Sequence, residues 1–218
     1  MVFIQKPHVV EDIERQVALI EKNSFGTVFT CGPNKGLEAN HFPFIVDRDE
    51  ADPSKITLRA HFAKANKHWQ DLEECDECLV VFQGLDEYVS PLWYEETMEK
   101  TKKAVPTWDY SAVHVYGKPT LIKDEDWVMQ QMNDLTDKFE HLRTEKWSTD
   151  DAPEPYIKLL RKAVYGLKIE VTRTEGKWKM SQEKPPNDVR GVIKGLKELG
   201  NEPMAADVES ANIHSNNL

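Results

Sequence analysis

Short β-forming runs recur along this chain, and several are joined by tight turns instead of helices. Strands are predicted at 25–31 (FGTVFTC), 41–46 (HFPFIV), 55–62 (KITLRAHF), 78–83 (CLVVFQ), 113–122, 167–173 and 177–181. GPNKG at 32–36 and DRDEADP at 47–53 read as turns, and EGKW folds 167–173 onto 177–181 as a hairpin. Pro43 cannot donate to a ladder, which puts 41–46 at a sheet edge or a bulge. A parallel doubly wound sheet needs strict strand–helix alternation, which this order lacks, and neither a dinucleotide fingerprint nor a P-loop is present. The fold class that follows is mainly β with α: an antiparallel barrel with peripheral helices.

Helices are predicted at 9–23, where Val9, Val10, Ile13, Val17 and Ile20 recur at mostly helical spacing, and at 64–74, 92–104 and 124–145. Two more follow, one starting near Pro155 with Asp150 or Asp151 as its cap, the other at 187–199 and closed by Gly200. Residues 1–199 read as one domain including these C-terminal helices, and 200–218 as a polar, disordered tail. No run approaches the roughly 18 apolar residues of a membrane helix. The N-terminus lacks the pattern of a secretory signal, and three cysteines cannot make a disulfide framework. A cytoplasmic location is the expectation.

The net charge of −10 repels polyanions at long range, so generic nucleic-acid binding is disfavoured. The charge is uneven. Residues 157–199 carry 11 Lys and Arg against 5 Asp and Glu, whereas 121–154 carry 4 against 10. Either these blocks pair with each other, in the fold or across a dimer, or the first is a local basic surface for a nucleic acid or a phosphate.

Three groupings could carry chemistry. Cys75-Asp-Glu-Cys78 is a weak redox or zinc motif, because no second ligand pair exists and the surrounding carboxylates should raise the thiol pKa; no metal site is expected. Arg59-Ala-His61-Phe-Ala-Lys64-Ala-Asn66-Lys67, at a strand end and helix start, reads either as a phosphate site or as a solvated edge with Asn66 as a cap. Half of the chain's Trp and Tyr residues fall between 88 and 116, beside Ser90 and Thr107, which suits either a planar heterocycle or an ordinary aromatic core. His114 sits on a strand between valines, as a satisfied core histidine or, in the minority reading, a haem ligand or general acid. No catalytic triad or HExxH is present, and no catalytic residue is assigned.

Six segments in order resemble one family. NHFPFIVD (40–47), RAHFAKANKHW (59–69), FQGLDEYVSPLWY (82–94), VPTWDYSAVHVYG (105–117), EVTRTEGKWKMSQ (170–182) and DVRGVIKGL (188–196) are similar to the PaiB-type FMN-binding negative transcriptional regulators. The resemblance implies an FMN-binding split barrel, like the pyridoxamine-phosphate oxidase superfamily, working as a homodimer with FMN at the subunit interface. It implies that Arg59, Lys64, Asn66 and Lys67 hold the flavin phosphate, and that Ser90, Trp93, Thr107 and Trp108 lie near the isoalloxazine. It also implies a negative regulatory role with DNA as a partner, with or without weak flavin-dependent redox activity. The alternative is a haem-binding or haem-degrading split barrel with His61 or His114 as axial ligand.

Overall fold

The computed structural model describes residues 2–32 and 36–213; the central residues of the expected 32–36 turn and the end of the tail lie outside the described residues. In chain order the elements are β1 (Val9–Val10), α1 (Ile13–Lys22), β2 (Phe25–Gly32), β3 (Gly36–Pro43), β4 (Ile45–Arg48), β5 (Ile56–Ala63), α2 (Trp69–Glu74) and β6 (Cys78–Val89). They continue with α3 (Glu95–Lys100), β7 (Thr107–Ile122), α4 (Glu125–Glu140), α5 (Glu154–Lys162), β8 (Val164–Lys179), α6 (Pro186–Glu198) and α7 (Glu202–Ile213). The strands form a sheet in the order β3-β2-β6-β7-β8-β5-β4, with β1 added to β8. Pairings of β2 with β3 and β6, β4 with β5, and β8 with β5 and β1 are antiparallel. The mainly antiparallel class expected from the strand order is the one observed. β3 ends the order, which is the edge position that Pro43 requires.

The described chain divides into two compact units: 2–19, 83–113 and 175–213 in the first, and 20–82 with 114–174 in the second. In the second unit the alternation along β5 sets which side chains are available for chemistry. Ile56, Leu58, Ala60 and Phe62 are buried, so Thr57, Arg59 and His61 form the opposite, outward row. Phe62 stacks on Phe42 at 5.0 Å and Phe82 meets Phe44 edge-on at 5.7 Å, so the inner face of this unit is an aromatic and aliphatic core. In the first unit α6 packs on α7 and on α3. Asp188 of α6, fully buried, accepts backbone hydrogen bonds from Glu96 at 2.9 Å and Thr97 at 3.1 Å, and so caps α3 from another element.

Several expectations are corrected. The hairpin at 167–181 is one continuous strand, β8. Gly176 is there for close approach: a Cβ would lie 2.7 Å from the Val10 carbonyl of β1, its cross-strand neighbour. Val9 and Val10 accordingly belong to that short strand and not to α1. The predicted helix at 64–74 contracts to α2, and 92–104 to a 3-10 turn at 91–93 followed by α3. The strand at 41–46 breaks at Phe44, whose amide donates to the Ser24 carbonyl at 2.8 Å. Asp151 caps the 3-10 turn at 149–151 through Ser148, and α5 starts without a side-chain cap. The tail is not disordered between 202 and 213: it is α7, with Met204, Ala205, Val208, Ala211 and Asn212 buried. Only Met204 and Val208 are large apolar residues on that face, so its apolar periodicity is faint.

Candidate functional site

In the second unit, α4 lies over the outward row of β5. Trp127, Gln131 and Asp134, spaced four and three apart, share one face of α4. Asp134 accepts from Arg59 Nη1 at 2.7 Å, and Gln131 Oε1 accepts from His61 Nδ1 at 2.5 Å. Arg59 is also held by both oxygens of Asp47 on β4, through Nε and, at 2.9 Å, Nη2. Its hydrogen bond to Asp47 is the main influence holding the guanidinium charged, against the cost of burial. One guanidinium therefore carries two carboxylates. Gln131 is fully buried and its Nε2 has no hydrogen-bond partner, leaving a donor behind His61.

The loop between β5 and α2 carries the rest of the same segment. Lys64 Nζ stands 4.7 Å from the Tyr165 ring centroid, and Tyr165 meets Trp69 edge-on at 5.9 Å, which fixes where the lysine stem lies. Asn66 donates to Asn40 Oδ1 at 3.0 Å and its own oxygen accepts from the His68 amide at 3.1 Å. His68 is fully buried; burial lowers its pKa, so it is held neutral. Asn40 donates to its Nδ1 at 3.1 Å, so Nε2 carries the proton and donates to Thr30 Oγ1 at 2.7 Å. The Asn40, Asn66 and His68 side chains thus lock the two early motifs together. Lys64 and exposed Lys67 have no ion pair among the described residues, whereas Lys123, Arg161 and Lys168 each have one. His114 lies half-buried on β7, between buried Val113 and Val115.

The first unit holds Ser90, Trp93, Thr107 and Trp108. Ser90 accepts from the Leu92 amide at 3.3 Å and so caps the 3-10 turn. The Trp93 indole packs on α6 at Gly195, and its carbonyl at Gly191. Lys179 donates to Thr107 Oγ1 at 3.0 Å, to the Trp108 carbonyl at 2.7 Å and to Asp109 Oδ1 at 3.1 Å, pinning the start of β7. Asp109 is fully buried; burial raises its pKa, while the Ser181 hydroxyl, donating at 2.6 Å, and Lys179 oppose that rise. Trp108 remains 54% exposed and meets Tyr88 edge-on at 6.1 Å, an aromatic surface whose backbone is held rigidly by Lys179. Ser181 is strained, with φ +60° in the left-handed region.

Two measurements follow from this chemistry. His8 holds Glu183 down to about 2, from 4.5, through a 3.0 Å contact. A depressed carboxyl pKa stabilises the fold above the unfolded value and loses that contribution as pH falls from 4.5 toward 2, by roughly 1–2 kcal/mol after solvent screening. His8→Ala should flatten the acid limb of a stability-versus-pH curve over that window; an unchanged limb refutes the pair's role. The cysteines also separate. Burial pushes the Cys78 thiol up to about 12 and raises Cys75, with neighbouring carboxylates a lesser cause than the sequence implies. Cys31 is exposed. A thiol reagent at pH 8 should therefore label Cys31 rapidly, Cys31→Ser should remove that fast phase, and Cys78 should react only on unfolding.

The residues that sequence reasoning missed are the partners: Asp47, Gln131, Asp134, Asn40, His68 and Lys179. Only the α4 set left a trace, as a stripe at helical spacing that adjoins the buried Val128 and Leu135.

Residues 2–173 match the family described as "Putative FMN-binding domain". The protease synthase and sporulation protein PAI 2 of Bacillus subtilis is 32% identical over 199 residues, covering 91% of each chain. An uncharacterized protein of Aspergillus fumigatus is 34% identical over 241 residues, covering 92% of each. Among solved structures, the FAD and heme binding protein of Mycobacterium smegmatis superposes with a TM-score of 0.57 and 17% identity over 79% of this chain and 73% of that one. No helix among the described residues is long and apolar enough to cross a membrane. Antiparallel sheet, peripheral helices and motifs agree, and the chain belongs to the PaiB-type FMN-binding negative transcriptional regulator family, built on the split-barrel fold.

Proposed function

We propose that this chain binds FMN and that Lys64 and Lys67 hold the phosphate. The observation that carries the reading is the pair of lysines on the β5–α2 loop without carboxylate partners among the described residues, where the resemblance implies a phosphate. Arg59 is already matched by Asp47 and Asp134, so it shapes the strand more than it supplies free charge. The donor set fits a phosphate: two ammonium groups on one short loop. When bound, a flavin supplies one- or two-electron redox chemistry. The protein's own part on this loop is to bind and orient: the Tyr165 ring fixes Lys64, and the Asn40–Asn66–His68 network fixes the backbone between the lysines.

The test compares FMN with riboflavin, which lacks the phosphate, by quenching of flavin fluorescence. Lys64→Ala and Lys67→Ala should each weaken FMN about tenfold and leave riboflavin unchanged, as charge-assisted hydrogen bonds to phosphate require. Equal effects on both flavins, or FMN binding unaffected by the double variant, refute the assignment. Haem is the second reading: Gln131 takes His61 Nδ1, so an axial bond from His61 would use Nε2. The absorption spectrum of the purified protein separates flavin from haem. A regulatory role on DNA receives less support, because part of the basic 157–199 block is consumed by Arg161 pairing with Glu125 at 3.1 Å and with Asp126 at 3.8 Å.

A further inference from the structure

A groove of about 710 Å³ opens in the second unit, on the outward side of β5, β8 and β7. Of the residues assigned to cofactor binding, only Arg59 lines it. Its charge arrangement is unusual for an acidic protein. Arg59 and Lys168 are direct cross-strand partners, and Lys118 of the next strand also lines the groove. Like charges placed opposite one another on a sheet face destabilise it unless something negative is shared between them. Asp47 and Asp134 compensate Arg59, and Glu170 lies 3.0 Å from Lys168. Lys118 is exposed and has no ion pair among the described residues. A cation row crossing three neighbouring strands therefore ends in an uncompensated charge.

One end of the groove is aromatic. Trp127 leans on Gly166, where a Cβ would come within 2.3 Å of the indole, so this glycine lets the ring settle against the sheet. The indole also lines the groove and is only half-buried, so part of its surface is available for stacking. Thr57 and Thr172 add hydroxyl groups on the far side of the cation row from the indole; the Thr172 hydroxyl donates to the Tyr116 carbonyl at 3.2 Å and retains acceptor capacity. An indole one strand step from a cation row, with hydroxyls beyond it, in a volume of this size, suits a nucleoside phosphate, with the base on the indole and phosphate oxygens over the cations.

We propose that this groove binds a nucleoside phosphate, with the base against Trp127 and the phosphate over Lys118 and Lys168. The site is separate from the Lys64–Lys67 loop, so it stands whether or not FMN binds there.

The experiment is calorimetric titration of the full-length chain with ADP, adenosine and inorganic phosphate, each with and without excess FMN. ADP should bind saturably below about 1 mM, adenosine and phosphate at least tenfold more weakly, since each supplies one half of the contacts. Lys118→Ala and Lys168→Ala should each weaken ADP about tenfold while FMN binding stays unchanged. Trp127→Phe keeps a ring on Gly166 and should remove most of the ADP-induced tryptophan quenching. Lys118 is exposed and has no ion pair among the described residues, so its variant tests the site without endangering the fold. Three results each overturn the proposal: no saturable ADP binding, ADP displaced by FMN, or ADP binding abolished by Lys64→Ala and Lys67→Ala but indifferent to Lys118→Ala.

Discussion

Gly191→Ala is expected to destabilise the protein by roughly 3 kcal/mol, although alanine normally strengthens a helix by about 1 kcal/mol over glycine. Gly191 lies inside α6, so helix propensity alone predicts a gain. A Cβ there would fall 1.9 Å from the Trp93 carbonyl oxygen, a backbone atom of a 3-10 turn that cannot rotate aside. Gly195 differs in kind: its Cβ would meet the Trp93 indole at 2.3 to 2.5 Å, and a side chain can change rotamer. Gly195→Ala should cost less, and Trp93→Ala should rescue it while leaving Gly191→Ala unrescued. Urea denaturation of the four variants decides the matter. A midpoint for Gly191→Ala equal to or above that of the parent would mean that α6 and the turn are not packed as described. The same contact bears on function, because Trp93 with its indole on α6 contributes to stability whatever ring it faces.

Arg59→Ala is the second large effect, expected at about 2–3 kcal/mol, because removing one member of a partly buried ion cluster leaves its partners uncompensated. Here two carboxylates, Asp47 and Asp134, would be left facing one another with no cation, where the Arg59 side chain is only 17% exposed. The signature is in the double variant. Arg59→Ala combined with Asp134→Asn should recover more than half of the lost stability. A plain loss of packing does not predict that recovery. If Arg59→Ala abolishes FMN binding while leaving stability untouched, Arg59 is the phosphate anchor and the assignment to Lys64 and Lys67 is wrong.

The second of these expectations could not have been written from the residues in order. RAHFAKANKHW advertises cations at a strand end, and alternation along β5 separates Leu58 and Phe62 from Arg59 and His61. What alternation leaves unsaid is that Asp134, 75 residues away, and Asp47, 12 residues away, arrive at the same guanidinium. Charge on a residue is a local property; its compensation is not. Glycine shows the same division. EGKW reads as a turn because glycine is a turn former, yet Gly176 sits in a continuous strand because β1 passes too close for a side chain. In α7, Ala205, Ala211 and Asn212 share the buried face with Met204 and Val208, so only two large apolar residues mark it.

From residue order alone came the antiparallel class, the edge position of Pro43, the helix stop at Gly200 and the motif set that names the family, because each rests on interactions within a few residues or on the period of one element. Only the tertiary structure decided which cations remain unpaired, which glycines exclude a side chain, and which hydroxyls and indoles share a groove. Those depend on contacts between segments far apart in sequence, and such contacts exist only once the sheet has set the register.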